Sequence, residues 1–524
     1  MNRISATEAS ARICGAGEAG LIDLREAGQF GEAHALFAVP LPWSRAELAI
    51  GALVPRPDAP LILIDAGDGV AERAARRFAA MGYADLSVVE GGMPAWEAAG
   101  LPVYKGVNVP SKTLGELVEA VWHPTMIRPE DLAAWQRENR RFRFFDARPP
   151  AEYGKMRVPG SVCLPNGELA HRIAALPDAD APVVITCAGR TRGIVGAIGM
   201  RISGHDGPLY ALENGTQGWA LAGETLERGN TAAPYPELGP DALAASRAAA
   251  DRVAARFGIP LVTTADFAAM RAEAGRTTYL FDTRSAPEVA ADPVAAAVHA
   301  ASGQIVQATD QWIGLRRARV VLCCDTGLRS AIAAFWLRQL GYDARILRID
   351  ADLRRLAAPP RPGPALPELP RIAAATALRR LHAGETLIDL RASAAYRQGH
   401  VAGARWACRP MLSEMIRRMR PSGVMLIAED TGEAALAAAD LHDLGLPRVG
   451  LVDGGVAAMI GCGAAREVTP NDPPDEARID HLFFVHDRHD GNLDSSRRYL
   501  EWETGLVAQL SAEERAQFHL YPVA

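Results

Sequence analysis

No stretch of the 524 residues approaches the roughly eighteen uncharged apolar residues of a membrane-spanning helix. The opening segment, MNRISATEASARICGAGEAG, holds no long apolar run either. A cytoplasmic chain without a membrane partner is the expectation. Seven cysteines, Cys14, Cys163, Cys187, Cys323, Cys324, Cys408 and Cys462, form no CxxC pair and no evenly spaced framework. That argues against a zinc site or a disulfide scaffold and for reduced thiols. Charge of one sign is not in excess: 56 Lys+Arg against 62 Asp+Glu leave a net charge of −6, which gives no global reason to expect nucleic acid as a partner. What is present, 49% hydrophobic and 23% charged residues, is the composition of a globular protein. The length exceeds what one core supports and implies about three to five domains.

Self-similarity supplies the organisation. An apolar strand ending in Asp-x-Arg occurs as Leu21–Arg25, Phe144–Arg148, Leu280–Arg284 and Leu387–Arg391. Each is followed by a second apolar strand and a polar, Gly-containing turn, at Asp65, Cys187, Cys324 and Glu429, after intervals of 42, 41, 42 and 40 residues from the aspartate. A third element closes the unit: Val88–Trp96, Ala211–Trp219 and Leu451–Met459 align, and the third copy keeps only Ile346–Asp350. Strands alternating with helical patterns predict α/β domains, each with a parallel sheet covered by helices, and place ligands at the carboxyl ends of the strands, where these turns lie. The Asp-x-Arg pairs read as structural salt bridges that cap strand ends. The expected boundaries are 1–105, 125–232, 260–356 and 371–465, with a C-terminal extension over 466–524. Mixed sequence from Pro102 to Pro129 suggests that copies one and two dock on each other, the alanine-rich segment Pro240–Phe257 reads as a helix separating the first pair from the second, and AAPPRPGPALPELP at 357–370 is an extended spacer. Two such pairs would form an internal pseudo-dimer, which makes a monomer plausible.

Chemistry concentrates in VVITCAGRTRGIVGAIGM, residues 183–200. A buried strand over Val183–Thr186 and a helix from Ile194 bracket Cys187-Ala188-Gly189-Arg190-Thr191-Arg192, a tight turn that should expose a thiol. Backbone N–H groups, the helix N-terminus and two arginines should lower its pKa and hold an anion over the sulfur.

This turn resembles the active loop of the rhodanese (sulfurtransferase) family, Cys-x-x-Gly-x-Arg, although here the glycine falls third. The third elements resemble that family's Gly-Gly-x-x-x-Trp segment, and Gly399-His400-Val401-Ala402-Gly403-Ala404 resembles its Gly-His-Ile-Pro-Gly-Ala; the likeness covers roughly residues 1–465. It implies four tandem rhodanese-like domains and a sulfurtransferase in which Cys187 takes the outer sulfur of an anionic donor such as thiosulfate. The resulting cysteine persulfide would pass to a thiol or cyanide acceptor, with Ala188, Gly189, Arg190, Thr191 and Arg192 binding the substrate. Such a cycle needs no metal or organic cofactor, because the sulfur is carried covalently. The alternative is a persulfide carrier or scaffold fed by a partner protein, its inert copies used for docking.

Copy one offers Asp65 and copy four Glu429 in place of the thiol, so both should be inert. Copy three reads Cys323-Cys324-Asp325-Thr326-Gly327-Leu328-Arg329-Ser330. From Cys324 it matches the family loop and makes Cys324, with Arg329, a second site. From Cys323 it resembles a cysteine-phosphatase loop. The repeat interval favours Cys324, Asp325 opposes a tetrahedral dianion, and Cys323 should point into the core. Cys163 reads as a core residue. In the tail, His486, Asp487, His489 and Asp490 could ligate a metal but form no complete set. A strand and the helix Ser495–Gln509, docked on a repeat through Phe483, Phe484, Tyr499 and Trp502, is the preferred reading.

Overall fold

The four apolar runs that end in Asp-x-Arg are the strands Gly20–Asp23, Arg143–Asp146, Thr278–Asp282 and Thr386–Asp389 of a computed structural model, which describes residues 1–486 and 492–523. Nearly every position of these strands is buried, as a sheet covered on both faces requires. Each run lies in its own five-stranded sheet, and in all four the strands are ordered first, fifth, fourth, second, third along the chain. Pairing within these sheets is parallel throughout, for example Phe145 beside Ile185 and Leu280 beside Val321. The strand that carries each of these turns is therefore the centre of its sheet, and the turn opens at the carboxyl end. No helix among the described residues is long and apolar enough to cross a membrane.

The Asp-x-Arg pairs have one geometry in all four repeats. Arg25, Arg148, Arg284 and Arg391 each donate Nε and Nη2 to both oxygens of the aspartate two residues earlier, with closest approaches of 2.6, 2.6, 2.7 and 2.7 Å. Each Nη2 also donates to the carbonyl eight residues downstream, Ala33, Met156, Asp292 or Gly399. The pair is buried, yet its polar atoms are occupied, which is the condition for a buried ion pair to be tolerated. It ties the end of the second strand to the short helix that follows.

The repeats combine differently from the expected pairs. One compact unit holds Met1–Ile13, Ala19–Val107 and Arg361–His486, which brings repeats one and four together; the other holds Cys14–Glu18, Asn108–Pro360 and the described tail over 492–523, with repeats two and three. The reason lies in the linkers. Val109–Trp122 is a helix that packs on Thr191–Ile202 of repeat two, so it belongs to that unit. Pro240–Arg256 is the expected helix, but it packs on Leu328–Gln339 of repeat three and does not divide the pairs.

In the first unit Arg409 of repeat four is enclosed by Glu47 of repeat one (2.6 and 2.8 Å) and Asp440 (2.8 and 2.9 Å). The extension is not a single body. Arg466–Glu467 pairs antiparallel with His400–Val401 in the first unit, whereas Leu493–Gln509 is a helix of the second, capped by Asn492, whose Oδ1 accepts from the N–H groups of Asp494 and Ser495. Phe483–His486 is a short helix, not a strand, and the side chain of His486 with Asp487, His489 and Asp490 lies outside the described residues.

Candidate active site

The turn after the fourth strand differs among the repeats in what fills it. In repeat one Asp65 occupies it: Oδ1 accepts from the Gly67 N–H and Oδ2 from the Ala71 N–H, both at 2.9 Å. The carboxylate supplies its own anion to the donors at the helix start. In repeat four Glu429 is exposed, and Asp430 caps the helix Thr431–Asp443 through the Gly432 and Glu433 N–H groups.

Repeat three has the regular cradle. Gly327, at φ +93°, turns its N–H to Cys324 Sγ at 3.2 Å, and the Ser330 N–H and hydroxyl donate to the same sulfur. Only glycine adopts that left-handed conformation without strain. Cys324 and Arg329 are both 0% exposed. Arg329 is held by Glu168 (2.8 Å), Glu288 (2.6 Å) and Asp325 (2.8 Å). Burial pushes the Cys324 thiol up, and the Arg329 charge pulls it back. Cys323 lies one residue earlier in the core, beside Leu280, Val321 and Leu347.

Repeat two departs from that pattern at one position. Where Gly327 stands in repeat three, repeat two has Arg190, at φ −110°. Its turn therefore aims carbonyls at the sulfur: the Cys187 S–H donates to the Gly189 carbonyl at 3.4 Å, with the Arg190 carbonyl at 3.8 Å. Gly193 supplies one N–H to Sγ. The exposed, low-pKa thiol expected from the sequence is not what the structure has. Cys187 is 2% exposed, and burial pushes its pKa up; Arg192 pulls it down, and Glu503 pushes it up further.

Nor are the arginines free to hold an anion. Arg190 is paired with Glu116 (2.8 Å) and Glu119, and Arg192 donates two bonds to Glu152, at 2.7 and 2.8 Å. Burial lifts the Glu116 carboxyl to about 7 against the pull of Arg190. Ala188 gives its carbonyl to the Gln217 N–H and the Thr216 hydroxyl, and Thr191 donates its hydroxyl to Glu503 Oε1 at 2.7 Å. The tail helix Leu493–Gln509 packs on Val109–Trp122 and Gly215–Leu221, with Tyr499 and Trp502 over the Lys112 ammonium at 5.4 and 4.7 Å. Docking on a repeat is thus as expected, but the helix lands on the Cys187 turn.

The comparisons with known proteins agree with this architecture. The family model for the rhodanese-like domain matches residues 5–99, 128–222, 263–353 and 373–461. A crystal structure of thiosulfate sulfurtransferase from Pseudomonas aeruginosa is 34% identical over 100% of this chain and 100% of that one, with a TM-score of 0.90. The chain belongs to the rhodanese family. A crystal structure of the Alr3790 protein from Anabaena sp. is 22% identical over 19% of this chain and 92% of that one, with a TM-score of 0.18. No curated protein sequence matched.

Among the rhodanese repeats, the partners of the loop arginines were missed in the sequence, although a signal for two was there. Glu152 and Glu288 both stand four residues after the arginine of Asp-x-Arg, and only in the repeats that keep the thiol; repeats one and four have Gln29 and Ala395 there. Glu152 pairs with Arg192 and Glu288 with Arg329. Glu116, Glu119 and Glu168 carry no such mark.

The rhodanese Gly-Gly-x-x-x-Trp element explains itself at Gly215. It sits at φ +54°, and a Cβ there would drive into the Cys187 carbonyl, which accepts the Thr216 N–H at 2.8 Å. Gly215→Ala is expected to destabilise the second unit by about 1–3 kcal/mol and to shift the Cys187 turn, measured by urea unfolding and by the rate of Cys187 alkylation. An unchanged midpoint with unchanged alkylation would contradict this.

Proposed function

We propose that the chain is a sulfurtransferase that moves sulfane sulfur from an anionic donor such as thiosulfate to a thiol or to cyanide through a persulfide on Cys187, with Cys324 as a second, more enclosed site. The observation that carries the reading is the contrast among the four turns. Where a thiol is present its sulfur accepts N–H from the helix start with an arginine charge beside it, and where it is absent a carboxylate serves as a cap or lies exposed. The named activity of the Pseudomonas aeruginosa protein points the same way.

In the first step the Cys187 thiolate attacks the outer sulfur of thiosulfate. The S–S bond of the donor breaks, sulfite leaves with the electron pair, and the outer sulfur stays on Cys187 as a persulfide anion. Cyanide or a thiolate then attacks that terminal sulfur, and Cys187 departs as thiolate, so charge and sulfur balance over the cycle. Arg192 is the group on this chain that favours both anions. Its role is to offset burial at the sulfur, while Glu152 holds its guanidinium in place. Domain limits of 1–105, 125–232, 260–356 and 371–465 assign one turn to each domain.

A second reading is supported by the charge around Cys187. Both loop arginines are neutralised by Glu116, Glu119 and Glu152, a poor setting for a small dianion. This favours a carrier that receives persulfide sulfur from a partner protein. Direct measurement of sulfite release from thiosulfate separates the two: the enzyme releases one sulfite per persulfide formed, and the carrier releases none.

The thiol's displaced pKa gives a pH dependence with a definite sign. The nucleophile is the thiolate, and a raised pKa lowers its fraction at neutral pH. The single-turnover rate of sulfite release is therefore expected to keep rising beyond about pH 8.5, the range of an ordinary thiol. A plateau already reached at pH 7 would contradict the buried-thiol account.

A further inference from the structure

Glu503 belongs to the tail helix, about three hundred residues beyond Cys187 in the chain, and it is 2% exposed against the reactive turn. One oxygen accepts the Thr191 hydroxyl. The other, Oε2, has no hydrogen-bond partner among the described residues. Gln217 is in the same condition: its side chain is 6% exposed, and neither amide atom has a partner among the described residues. Both groups converge on Gly189. A Cβ built there would lie 2.9 Å from Glu503 Oε2 and 3.5 Å from Gln217 Nε2. Buried polar atoms are seldom left unpaired, so two at one spot call for a polar partner, and because a Cβ at Gly189 would already crowd Glu503 Oε2, that partner enters only as the side chains over Gly189 move aside.

The charge of that partner follows from the surroundings. Arg190 and Arg192 are bonded to Glu116, Glu119 and Glu152 and neither is bonded to the Glu503 carboxylate, which lies close enough to push the Cys187 thiol up. A negative group here is repelled and a positive one is drawn in.

We propose that Glu503 and Gln217 form a recognition subsite over Gly189 for a thiol that carries an ammonium group, the acceptor of sulfur from Cys187. The inference rests on the persulfide reading of Cys187. The ammonium meets Glu503 Oε2, and the Gln217 amide takes a further polar group. The acceptor thiolate attacks the terminal sulfur, a new S–S bond forms on the acceptor, the bond to Cys187 breaks, and Cys187 keeps the electron pair as thiolate. Glu503 touches the substrate but no reacting atom; it acts on choice of acceptor.

The test uses the full chain loaded with sulfur from inorganic polysulfide, the Cys187 persulfide being located by peptide mass after alkylation. Its discharge is then timed with cysteamine and with 3-mercaptopropionate, thiols of similar size and opposite charge. Taking the ratio of the two rates in a variant relative to the native chain cancels the thiols' own reactivity. Glu503→Gln is expected to lower the preference for cysteamine roughly tenfold, the scale of one lost charge contact. Gln217→Glu, which adds a second carboxylate, is expected to raise it, and it keeps the proposal testable should Glu503→Gln fail to fold. A persulfide that forms normally but shows the same preference in native chain and variants overturns the subsite alone. No persulfide on the native chain overturns the reading of Cys187, and the subsite with it.

Discussion

Cys187→Ser is expected to lower sulfur transfer from thiosulfate to cyanide to what Cys324 alone sustains, and by at least about a thousandfold once Cys324→Ser is added, because a covalent carrier has no substitute once its nucleophiles are gone. A serine hydroxyl at neutral pH is neither ionised nor able to form a persulfide. The turn itself should survive: the hydroxyl can donate to the Gly189 carbonyl as the thiol does at 3.4 Å, and the Thr216 N–H still reaches the carbonyl of residue 187. Loss of turnover with an unchanged unfolding curve is therefore the expected pair of results. Any turnover that remains is assigned to Cys324, and it should vanish in the double variant. Retention of more than a tenth of the native rate in that double variant would remove both thiols from the mechanism.

The largest expected effect on stability lies in the other unit. Arg409 is 3% exposed, donates to both oxygens of Glu47 and of Asp440 and to the Trp43 carbonyl at 2.8 Å, and lies 3.8 Å from the Trp43 ring. Arg409→Leu removes the cation from Glu47, a carboxylate left in a closed site, while Asp440 keeps Arg77 at 3.2 Å. Breaking a buried ion pair by deleting one partner destabilises by about 3–5 kcal/mol. Urea unfolding of the full chain should show an early transition for the unit of repeats one and four, with sulfur transfer retained until the second unit unfolds. A change below about 1 kcal/mol would mean that this buried charge set does not hold the two repeats together.

How much of this was legible in the sequence depends on the range of the interaction. The strands and their turns were legible because periodicity and the Asp-x-Arg signature are local and occur four times. The structural role of those pairs was legible too, since an arginine two residues from an aspartate at a strand end has little else to reach. The pairing of repeats was not. It is set by Arg409 with Glu47 and Arg329 with Glu168, contacts between residues more than a hundred positions apart that leave no periodic trace.

The conformation of the Cys187 turn was legible in one detail whose weight was missed. A glycine at the fourth loop position makes the left-handed turn that aims N–H groups at the sulfur, as Gly327 does, and repeat two has Arg190 there. The burial of Cys187 could not be read at all, because the helix that carries Tyr499 and Glu503 returns from the far end of the chain. Its amphipathic pattern announces a docked helix and says nothing about where it docks.

The central claim is that sulfur is held covalently on Cys187. Intact-protein mass spectrometry after incubation with thiosulfate, on the native chain, Cys187→Ser and Cys324→Ser, with cyanide added afterwards, tests it most directly. The account expects a one-sulfur gain on the native chain and on Cys324→Ser that cyanide discharges, and its loss from Cys187 in Cys187→Ser, with any remaining gain located on Cys324. A full gain on Cys187→Ser that maps to neither position, or no gain on any form, would contradict it.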